Sequence, residues 1–414
     1  MIQVNKHTLS NGLRIVHSLD ESTQMVAINL LYNVGAKDED PEHTGFAHLF
    51  EHLMFGGSIN IPDYDEPIQR AGGDNNAWTN NDITNFYISI PKLNVETGFW
   101  LESDRMLSLN FNSKSLEVQR QVVMEEFKQR CLNQPYGDVS SLVRSLAYKV
   151  HPYQWPTIGK QLSHIANASI EEVKEFFFRF YAPNNAILAV TGNISFEETI
   201  RLAQKWFGSI PRRAVKERHL PQEPKQHEER RLEVKRNVPV DTLYMVFHTC
   251  ARIHPDYYAI DMLSDILSSG QSSRLIQELV NNRKLFTSID AYISGTIEPG
   301  LFHITGKPAP GVSLDEAEQG VWQELEKIKE TLIDKQELEK VKNKYESNQI
   351  FSNINYLNIA TNLAYLELVS QAEDINEEVN RYRAVTNKQI KETARTTFVS
   401  SNCCTLHYVA QKDS

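Results

Sequence analysis

The chain has 414 residues, of which 41% are hydrophobic and 23% are charged. This composition is typical of a globular protein and excludes a disordered chain, and at roughly 100–200 residues per domain the length predicts two or three domains. The formal net charge of −10 is the opposite of the basic footprint that nucleic-acid binding requires, so we expect no nucleic-acid partner.

The sequence contains no pattern typical of a membrane-spanning helix or of a secretory signal. No segment approaches the roughly 18 apolar residues of a membrane-spanning helix. Residues 1–20 contain no apolar stretch after a basic start, which predicts no signal peptide and a cytoplasmic location, unless an export signal has been trimmed away. The four cysteines form no C-x-x-C pair, so we expect free thiols, and neither a zinc ribbon nor a disulfide framework is indicated.

The first 210 residues alternate strand and helix patterns. Asn11-Gly12 is a turn signal that predicts a short hairpin, and Ser169 followed by Glu172 is a capping box that predicts a helix start. The predicted elements are, in chain order, a strand at 25–36, a helix at 44–54, a strand at 83–91, helix over 94–130 with a break near 110–112, a helix at 169–181, a strand at 186–195 and a helix at 195–210.

Residues 211–232 are rich in proline and charged residues, which predicts a solvated linker. A similar order of elements then restarts, because the apolar segment 242–251 resembles 25–36, and 398–410 resembles 180–192. The further predicted elements are helices at 257–267, 314–332, 334–348 and 387–397 and a closing strand at 403–410. We therefore predict an α+β fold of two homologous domains, residues 1–210 and 233–414.

The most informative segment is GFAHLFEHLMFGG at residues 45–57. On a helix His48 and His52 lie one turn apart on one face, with Glu51 beside them. The rest of this helix is apolar nearly all round, which predicts burial, and burying these three side chains is costly unless they are paired or bind a metal. H-x-x-E-H is the inverted zinc-peptidase motif. The alternative from these residues alone is that both histidines are hydrogen-bonded core residues.

A catalytic zinc needs a third protein ligand. The segment 115–130 offers three glutamates: Glu117, Glu125 and Glu126. The apolar residues expected to mark the buried side of this helix are Val122, Val123 and Phe127. Glu126 lies beside that side and Glu125 lies off it, so helix geometry favours Glu126.

With these residues, the chain resembles the pitrilysin/insulinase family of inverted-motif zinc peptidases. The segments that carry the resemblance are 32–57, with HLFEH, 71–87, with an Asn-Ala pair, Glu126 within QRQVVMEE, and 157–194. The length is similar to that of the short two-chain members, such as mitochondrial processing peptidases and bacterial heterodimeric peptidases. The resemblance implies zinc ligands at His48, His52 and Glu126, a general base at Glu51, and two homologous domains that form half of a clamshell.

The resemblance also implies how a peptide substrate binds. Asn76 and Ala77 match the edge strand that pairs with the peptide main chain by β-augmentation. Trp78, next to them, is a candidate for a side-chain pocket, and the alternative is that it is a core aromatic residue.

The sequence departs from the pattern of the family in two features, a single position and a residue pair. Gln119 stands where a glutamate often supports the metal helix; an amide can still hydrogen-bond a ligand, and Glu117 is a possible substitute. Active members also carry an Arg…Tyr pair in a later domain that holds the substrate and the developing oxyanion. Here Val280 and Thr287 occupy those places, with Arg283 and Tyr292 nearby but out of register. The expected consequence is a heterodimer with a homologous chain that lacks the zinc motif and supplies both residues, because such donors contribute several kcal/mol to catalysis.

The resulting prediction is a zinc metalloendopeptidase subunit that hydrolyses peptides within a chamber closed by its partner. The alternative is a non-catalytic scaffold or core subunit of the same fold. Relatives of that kind usually lack the metal residues, whereas all four are present here.

Overall fold

In the computed structural model, which describes residues 1–215 and 218–411, the strands form two mixed sheets. The strands of the first sheet are β1 (Asn5–Thr8), β2 (Arg14–Leu19), β3 (Met25–Tyr32), β4 (Asp74–Thr79), β5 (Thr84–Pro91) and β6 (Ala186–Gly192). Those of the second sheet are β7 (Arg230–Arg236), β8 (Thr242–His248), β9 (Phe286–Ile293), β10 (Leu301–Pro308) and β11 (Cys403–Ala410).

The two sheets share one topology. The first has the order β1-β2-β6-β3-β5-β4 and the second the order β7-β11-β8-β10-β9. In each sheet one pair is parallel, β2 with β6 and β7 with β11, and the other pairs are antiparallel. Each strand from β2 to β6 therefore has a counterpart from β7 to β11. The predicted α+β class and the predicted internal repeat are confirmed.

Helices pack on both sheets. In the first part of the chain they are α1 (Phe46–Leu53), α2 (Asp65–Arg70), α3 (Val95–Leu107), α4 (Ser113–Phe127), α5 (Val139–Ala147), α6 (Leu162–Ala166), α7 (Ile170–Phe180) and α8 (Phe196–Phe207). They continue as α9 (Tyr257–Ser268), α10 (Leu314–Glu330), α11 (Lys335–Ser352), α12 (Tyr356–Val369), α13 (Glu378–Ala384) and α14 (Asn387–Thr397). The predicted capping box of Ser169 and Glu172 is present at the start of α7. Among the described residues no helix is both long and apolar enough to cross a membrane; the cytoplasmic location stays a prediction.

The chain divides into two compact units that are discontinuous in sequence. The first unit comprises Met1–Arg130, Trp155–Leu220 and Ile350–Glu377, and the second comprises the remaining segments, Cys131–Gln154, Pro221–Gln349 and Glu378–Ser414. Helix α5 therefore belongs to the second unit, where it packs on β8 and β11, and α12 belongs to the first, where it packs on β3 and β6. The continuous domain boundaries at residues 210 and 233 stay a prediction.

The segment predicted as a solvated linker is anchored by specific hydrogen bonds. Within the first unit, the guanidinium group of Arg213 donates to the carbonyl oxygen of Tyr181 (2.7 Å), and Arg218 forms an ion pair with Asp38 (2.9 Å). Within the second unit, the buried Gln226 donates to the carbonyl oxygen of Cys403 (2.8 Å). These residues show that the segment is not freely solvated, because its polar side chains satisfy buried backbone groups.

Candidate metal centre and active site

Helix α1 carries the two histidines and lies within the core of the first unit. Its apolar side chains Phe46, Leu49, Phe50 and Leu53 are buried, and they pack in the main hydrophobic cluster of this unit. Gly45 precedes the first residue of the helix, and its φ of +90° is in the left-handed region that favours glycine. An added Cβ there would also clash with Ile158 and Ile165. His48 is only 8% exposed, as predicted from a helix that is apolar nearly all round.

The buried carboxylate of Glu39 fixes the start of α1. It accepts hydrogen bonds from the backbone N–H groups of Gly45 (2.9 Å) and Ala47 (2.8 Å) and from the indole of Trp155 (3.1 Å). Burial raises the pKa of Glu39 to about 8, although these three hydrogen bonds act in the opposite direction. Glu39 was not among the predicted site residues. The available signal was an acidic residue shortly before a helix N-terminus, where the helix dipole favours negative charge.

Helix α4 brings the third carboxylate to α1. Val123 and Phe127 are buried as expected, whereas Val122 is 45% exposed. The buried side of α4 is therefore narrower than predicted. Glu126 is half-buried beside this side, and Glu125 is exposed and forms an ion pair with Lys128. Helix phase therefore places Glu126, and not Glu125, next to the histidines.

His48, His52 and Glu126 form one compact cluster. Oε2 of Glu126 lies 3.5 Å from Nε2 of His48 and 3.4 Å from Nε2 of His52. Zinc bonds of 2.0–2.1 Å at tetrahedral angles place neighbouring ligand atoms about 3.4 Å apart. The observed spacing therefore fits two imidazoles and a carboxylate around one zinc ion. The other carboxylate oxygen of Glu126 forms an ion pair with Arg130 (2.8 Å).

The surroundings of His48 argue against a hydrogen-bonded core histidine. Its Nδ1 is buried and has no hydrogen-bond partner among the described residues, and a buried polar atom without a partner is unfavourable. Burial lowers the pKa of His48 to about 4, although the Glu126 carboxylate acts in the opposite direction, and burial also lowers the pKa of His52. Both imidazoles are therefore neutral near pH 7, which is the form that binds a metal.

Glu51 lies between the two histidines in sequence and is half-buried. Burial raises the pKa of Glu51, and a hydrogen bond from the hydroxyl of Thr79 partly offsets that rise. Thr79 is the last residue of β4, so the strand next to α1 helps to orient this carboxylate. The role of Thr79 gives no signal in the sequence, because it depends on how β4 packs against α1.

Strand β4 is the edge of the first sheet and pairs only with β5 among the described strands. Asn76, Ala77 and Trp78 lie on this strand, with Asn76 and Trp78 exposed and Ala77 half-buried. Trp78 is 36% exposed, so the alternative that it is a core aromatic residue is wrong. The strand therefore offers an unpaired backbone edge beside α1, the helix that carries His48 and His52.

The two candidate supporting residues lie in different surroundings. Gln119 is half-buried on α4, and its side-chain nitrogen approaches Gly56, just beyond α1. Glu117 is exposed and bound by Arg120 and Gln121, and these hydrogen bonds lower its pKa. The structure thus brings Gln119 to the C-terminal end of α1 but leaves Glu117 on the surface.

The positions that differ from the family's Arg…Tyr pair lie in the second unit. Val280 packs partly buried against the core of that unit, and the hydroxyl of Thr287 donates to the carbonyl oxygen of Lys307 (3.1 Å). Arg283 donates to the side chain of Gln323 (2.8 Å), and Tyr292 stacks on His303. Neither Val280 nor Thr287 can replace the guanidinium and phenol groups of that pair.

Comparisons with known proteins identify the family of this chain. The sequence model of insulinase (peptidase family M16) matches residues 14–161, which include all three candidate ligands and Glu51. A second model, described as the peptidase M16 inactive domain, matches residues 167–345. The zinc protease PqqE of Helicobacter pylori is 32% identical over 343 residues, which cover 81% of this chain and 77% of that protein.

Two solved structures share the fold. A protease from Helicobacter pylori has a TM-score of 0.92 and 27% sequence identity, with 99% of this chain and 100% of that chain covered. The periplasmic protease PqqL from Escherichia coli has a TM-score of 0.81 at 18% identity, and the match covers 99% of this chain but only 48% of that chain. From the two family models and the relative of 32% identity, the chain belongs to the pitrilysin/insulinase family, peptidase family M16.

Proposed function

We propose that this chain is the zinc-dependent catalytic subunit of a peptidase. The observation that carries the proposal is the cluster of His48, His52 and Glu126, with ligand atoms 3.4–3.5 Å apart, beside Glu51 and an unpaired sheet edge. Zinc bound there acts as a Lewis acid that acidifies water and polarises the carbonyl group of the substrate.

The remaining steps belong to the residues of the chain. The free edge of β4 at Asn76 and Ala77 pairs with the main chain of an extended peptide, which brings its scissile bond next to α1. The carboxylate of Glu51, oriented by Thr79, takes a proton from the attacking water and later donates it to the leaving amine. Trp78 contacts a substrate side chain from its exposed position on β4.

Zinc content and two variants test this mechanism. We expect one zinc ion per chain and peptide hydrolysis that stops with a chelator and returns with zinc. Glu51→Gln should retain zinc and lose about 100-fold to 10,000-fold in kcat, whereas His48→Ala should lose both zinc and activity. Full activity of Glu51→Gln would show that the general base has been assigned wrongly.

The competing function is a non-catalytic scaffold. The match of residues 167–345 to a domain described as inactive favours it for that part of the chain, but the four site residues lie outside this match. A scaffold has no use for the buried imidazole of His48, whose Nδ1 has no hydrogen-bond partner among the described residues. Absence of stoichiometric zinc from protein purified from its native host would favour the scaffold.

We further propose that catalysis requires a second, homologous chain without the zinc motif. The support is the substitution of Val280 and Thr287 for the Arg…Tyr pair and the match of this chain to only about half of PqqL. The partner would supply the arginine and tyrosine and close a chamber that admits unfolded peptides. Co-purification followed by peptide assays with and without the partner tests this, and full activity of the chain alone contradicts it.

A further inference from the structure

Arg130 follows Glu126 by one helical turn, just beyond the C-terminal end of α4. Its guanidinium group forms an ion pair with Oε1 of Glu126 at 2.8 Å. The other oxygen of the same carboxylate, Oε2, lies 3.5 Å from Nε2 of His48 and 3.4 Å from Nε2 of His52. The two oxygens of Glu126 therefore have different partners, because one contacts a cation and the other belongs to the ligand cluster.

The pair of Glu126 and Arg130 differs from an ordinary ion pair on a helix surface. Glu66 and Arg70 have the same spacing of four residues, but both side chains are exposed, at 56% and 79%. Solvent screens such a pair, so it contributes little. The Arg130 side chain is 67% exposed, but that of Glu126 is only 20% exposed. A carboxylate that is largely shielded from water and bound by a guanidinium group on one oxygen is restricted in its orientation.

The helical geometry of the chain changes next to this pair. Helix α4 ends at Phe127, and Lys128–Leu132 form a short π-helical turn. Such turns are rare and occur frequently at functional sites. Arg130 lies in the middle of the turn, so the irregular segment carries the residue that contacts Oε1 of Glu126.

The positive charge of Arg130 would by itself disfavour a bound cation. Burial is the main cause of the lowered pKa of His48 and of His52, and the charge of Arg130 lowers both pKa values further. The guanidinium group therefore lies within electrostatic reach of the ligand cluster, where it repels a zinc ion. A contribution of Arg130 that favours the zinc site must then come from its contact with Oε1 of Glu126.

We propose that Arg130 is a positioning residue that acts through Glu126: it holds Oε1 and leaves Oε2 as the single oxygen available to zinc. A carboxylate that bound through both oxygens would occupy one more coordination position, whereas a catalytic site with three protein ligands needs an open one. Loss of a hydrogen-bond partner of a ligating group typically costs about 10-fold to 100-fold in metal affinity or activity. The inference rests on the proposed peptidase function and adds a residue from outside the ligand set.

Arg130→Met tests this role, because methionine is a long side chain with neither a charge nor a donor. The full chain, with its partner if one co-purifies, is loaded with Co²⁺, whose visible absorption is strong at four-coordinate sites and weak at sites of higher coordination number. We expect weaker absorption from Arg130→Met than from the parent chain. At saturating zinc, kcat should fall by about 10-fold to 100-fold with KM nearly unchanged. Arg130→Lys, which keeps a charge and a donor, should recover part of both losses.

Lys128→Gln is the matched control, because it removes a positive charge from the same turn while Lys128 pairs with the exposed Glu125. It should keep the cobalt spectrum and the kcat of the parent chain. An unchanged spectrum of Arg130→Met, or an equal loss in Lys128→Gln, overturns the role of Arg130 and leaves the peptidase intact. A parent chain that binds neither Co²⁺ nor Zn²⁺ overturns the proposed function and this inference with it. If Arg130→Met does not fold, Arg130→Ala replaces it.

Discussion

Two clusters of histidine and carboxylate side chains look alike by composition but differ in their contacts. His48, His52 and Glu126 in the first unit, and Asp315, Glu318 and His407 in the second, each bring three possible ligand atoms within 4.8 Å of one another. In the second cluster Nε2 of His407 lies 2.7 Å from Glu318, which is a hydrogen-bond distance, and Arg231 binds both oxygens of Glu318. In the first cluster the corresponding distances of 3.4–3.5 Å leave room for an ion.

Helices α1 and α9 occupy equivalent places in the repeated topology, but only α1 carries possible metal ligands. Helix α9 follows β8 as α1 follows β3, and it contains neither histidine nor glutamate. Its buried positions include Ile260, Leu263, Ile266 and Leu267. An apolar helix therefore satisfies the fold at this place, so the imidazoles of α1 serve a purpose other than packing.

The largest expected difference between the two clusters is in zinc affinity. Glu126→Gln should lower the affinity of the chain for zinc by about 100-fold or more, because an amide is a poor replacement for an anionic zinc ligand. Glu318→Gln in the second cluster should leave zinc affinity unchanged. Competition with a chromogenic chelator measures both, and Glu125→Gln, on the exposed side of α4, is the matched control. Equal zinc binding by Glu126→Gln and the parent chain would remove Glu126 from the ligand set.

Alanine substitutions at the starts of α1 and α9 should change the free energy of unfolding by different amounts. Glu39→Ala leaves buried donors at the start of α1 without an acceptor and should lower the free energy of unfolding by about 3 kcal/mol. Asp256→Ala at the start of α9 should cost less than about 0.5 kcal/mol, because the Asp256 side chain makes no capping hydrogen bond. Denaturant unfolding followed by circular dichroism measures both variants, and equal losses would mean that Glu39 does not fix α1.

The cluster of Asp315, Glu318 and His407 should contribute to the stability of the fold, and we expect this contribution to depend on pH. Burial alone would raise the pKa of Glu318, but hydrogen bonds from His407 and Arg231 lower it to about 2. Because this folded-state pKa lies below the ordinary value of 4.5, the stabilisation is complete above about pH 5 and is lost as pH falls towards 2. This stabilisation amounts to about 2 kcal/mol once the screening by solvent around the half-exposed Arg231 is taken into account.

Melting curves between pH 3 and pH 7 check this pH dependence. The stability difference between the parent chain and Glu318→Gln should shrink as the pH falls, while the exposed Glu316→Gln on the same helix should follow the parent at every pH. A difference that is constant with pH would mean that Glu318 is not held ionised by its partners.

The sequence predicts those features that depend on local patterns. The periodicity of 45–57 places His48, Glu51 and His52 on one helix, and helix phase separates Glu126 from Glu125. The repeat is visible because β6 and β11 keep similar apolar patterns. Strands β7, β9 and β10 are not among the predicted elements, because polar or charged residues interrupt each of them and none forms a continuous apolar run.

Features that depend on long-range contacts could not be predicted. Nothing local indicates that α5 packs on the second sheet and α12 on the first, because each helix lies in the opposite half of the chain from its sheet. For the same reason Glu39, Thr79 and Arg130 enter the site only once α1, β4 and α4 are in place. Their contributions depend on tertiary packing, which the periodicity of the sequence does not reveal.

The smallest expected effect is the most direct test of why α1 differs from α9. His48→Leu makes α1 resemble α9, and in zinc-free protein it should raise the free energy of unfolding by about 1 kcal/mol, because it removes a buried nitrogen without a partner. The same variant should gain nothing from added zinc, whereas zinc at about 1,000 times its dissociation constant should stabilise the parent chain by about 4 kcal/mol. Calorimetric scans of both proteins, with zinc and with chelator, measure the two effects. A zinc-free variant less stable than its parent would mean that His48 is needed for packing, and α1 and α9 would then differ in structure as well as in function.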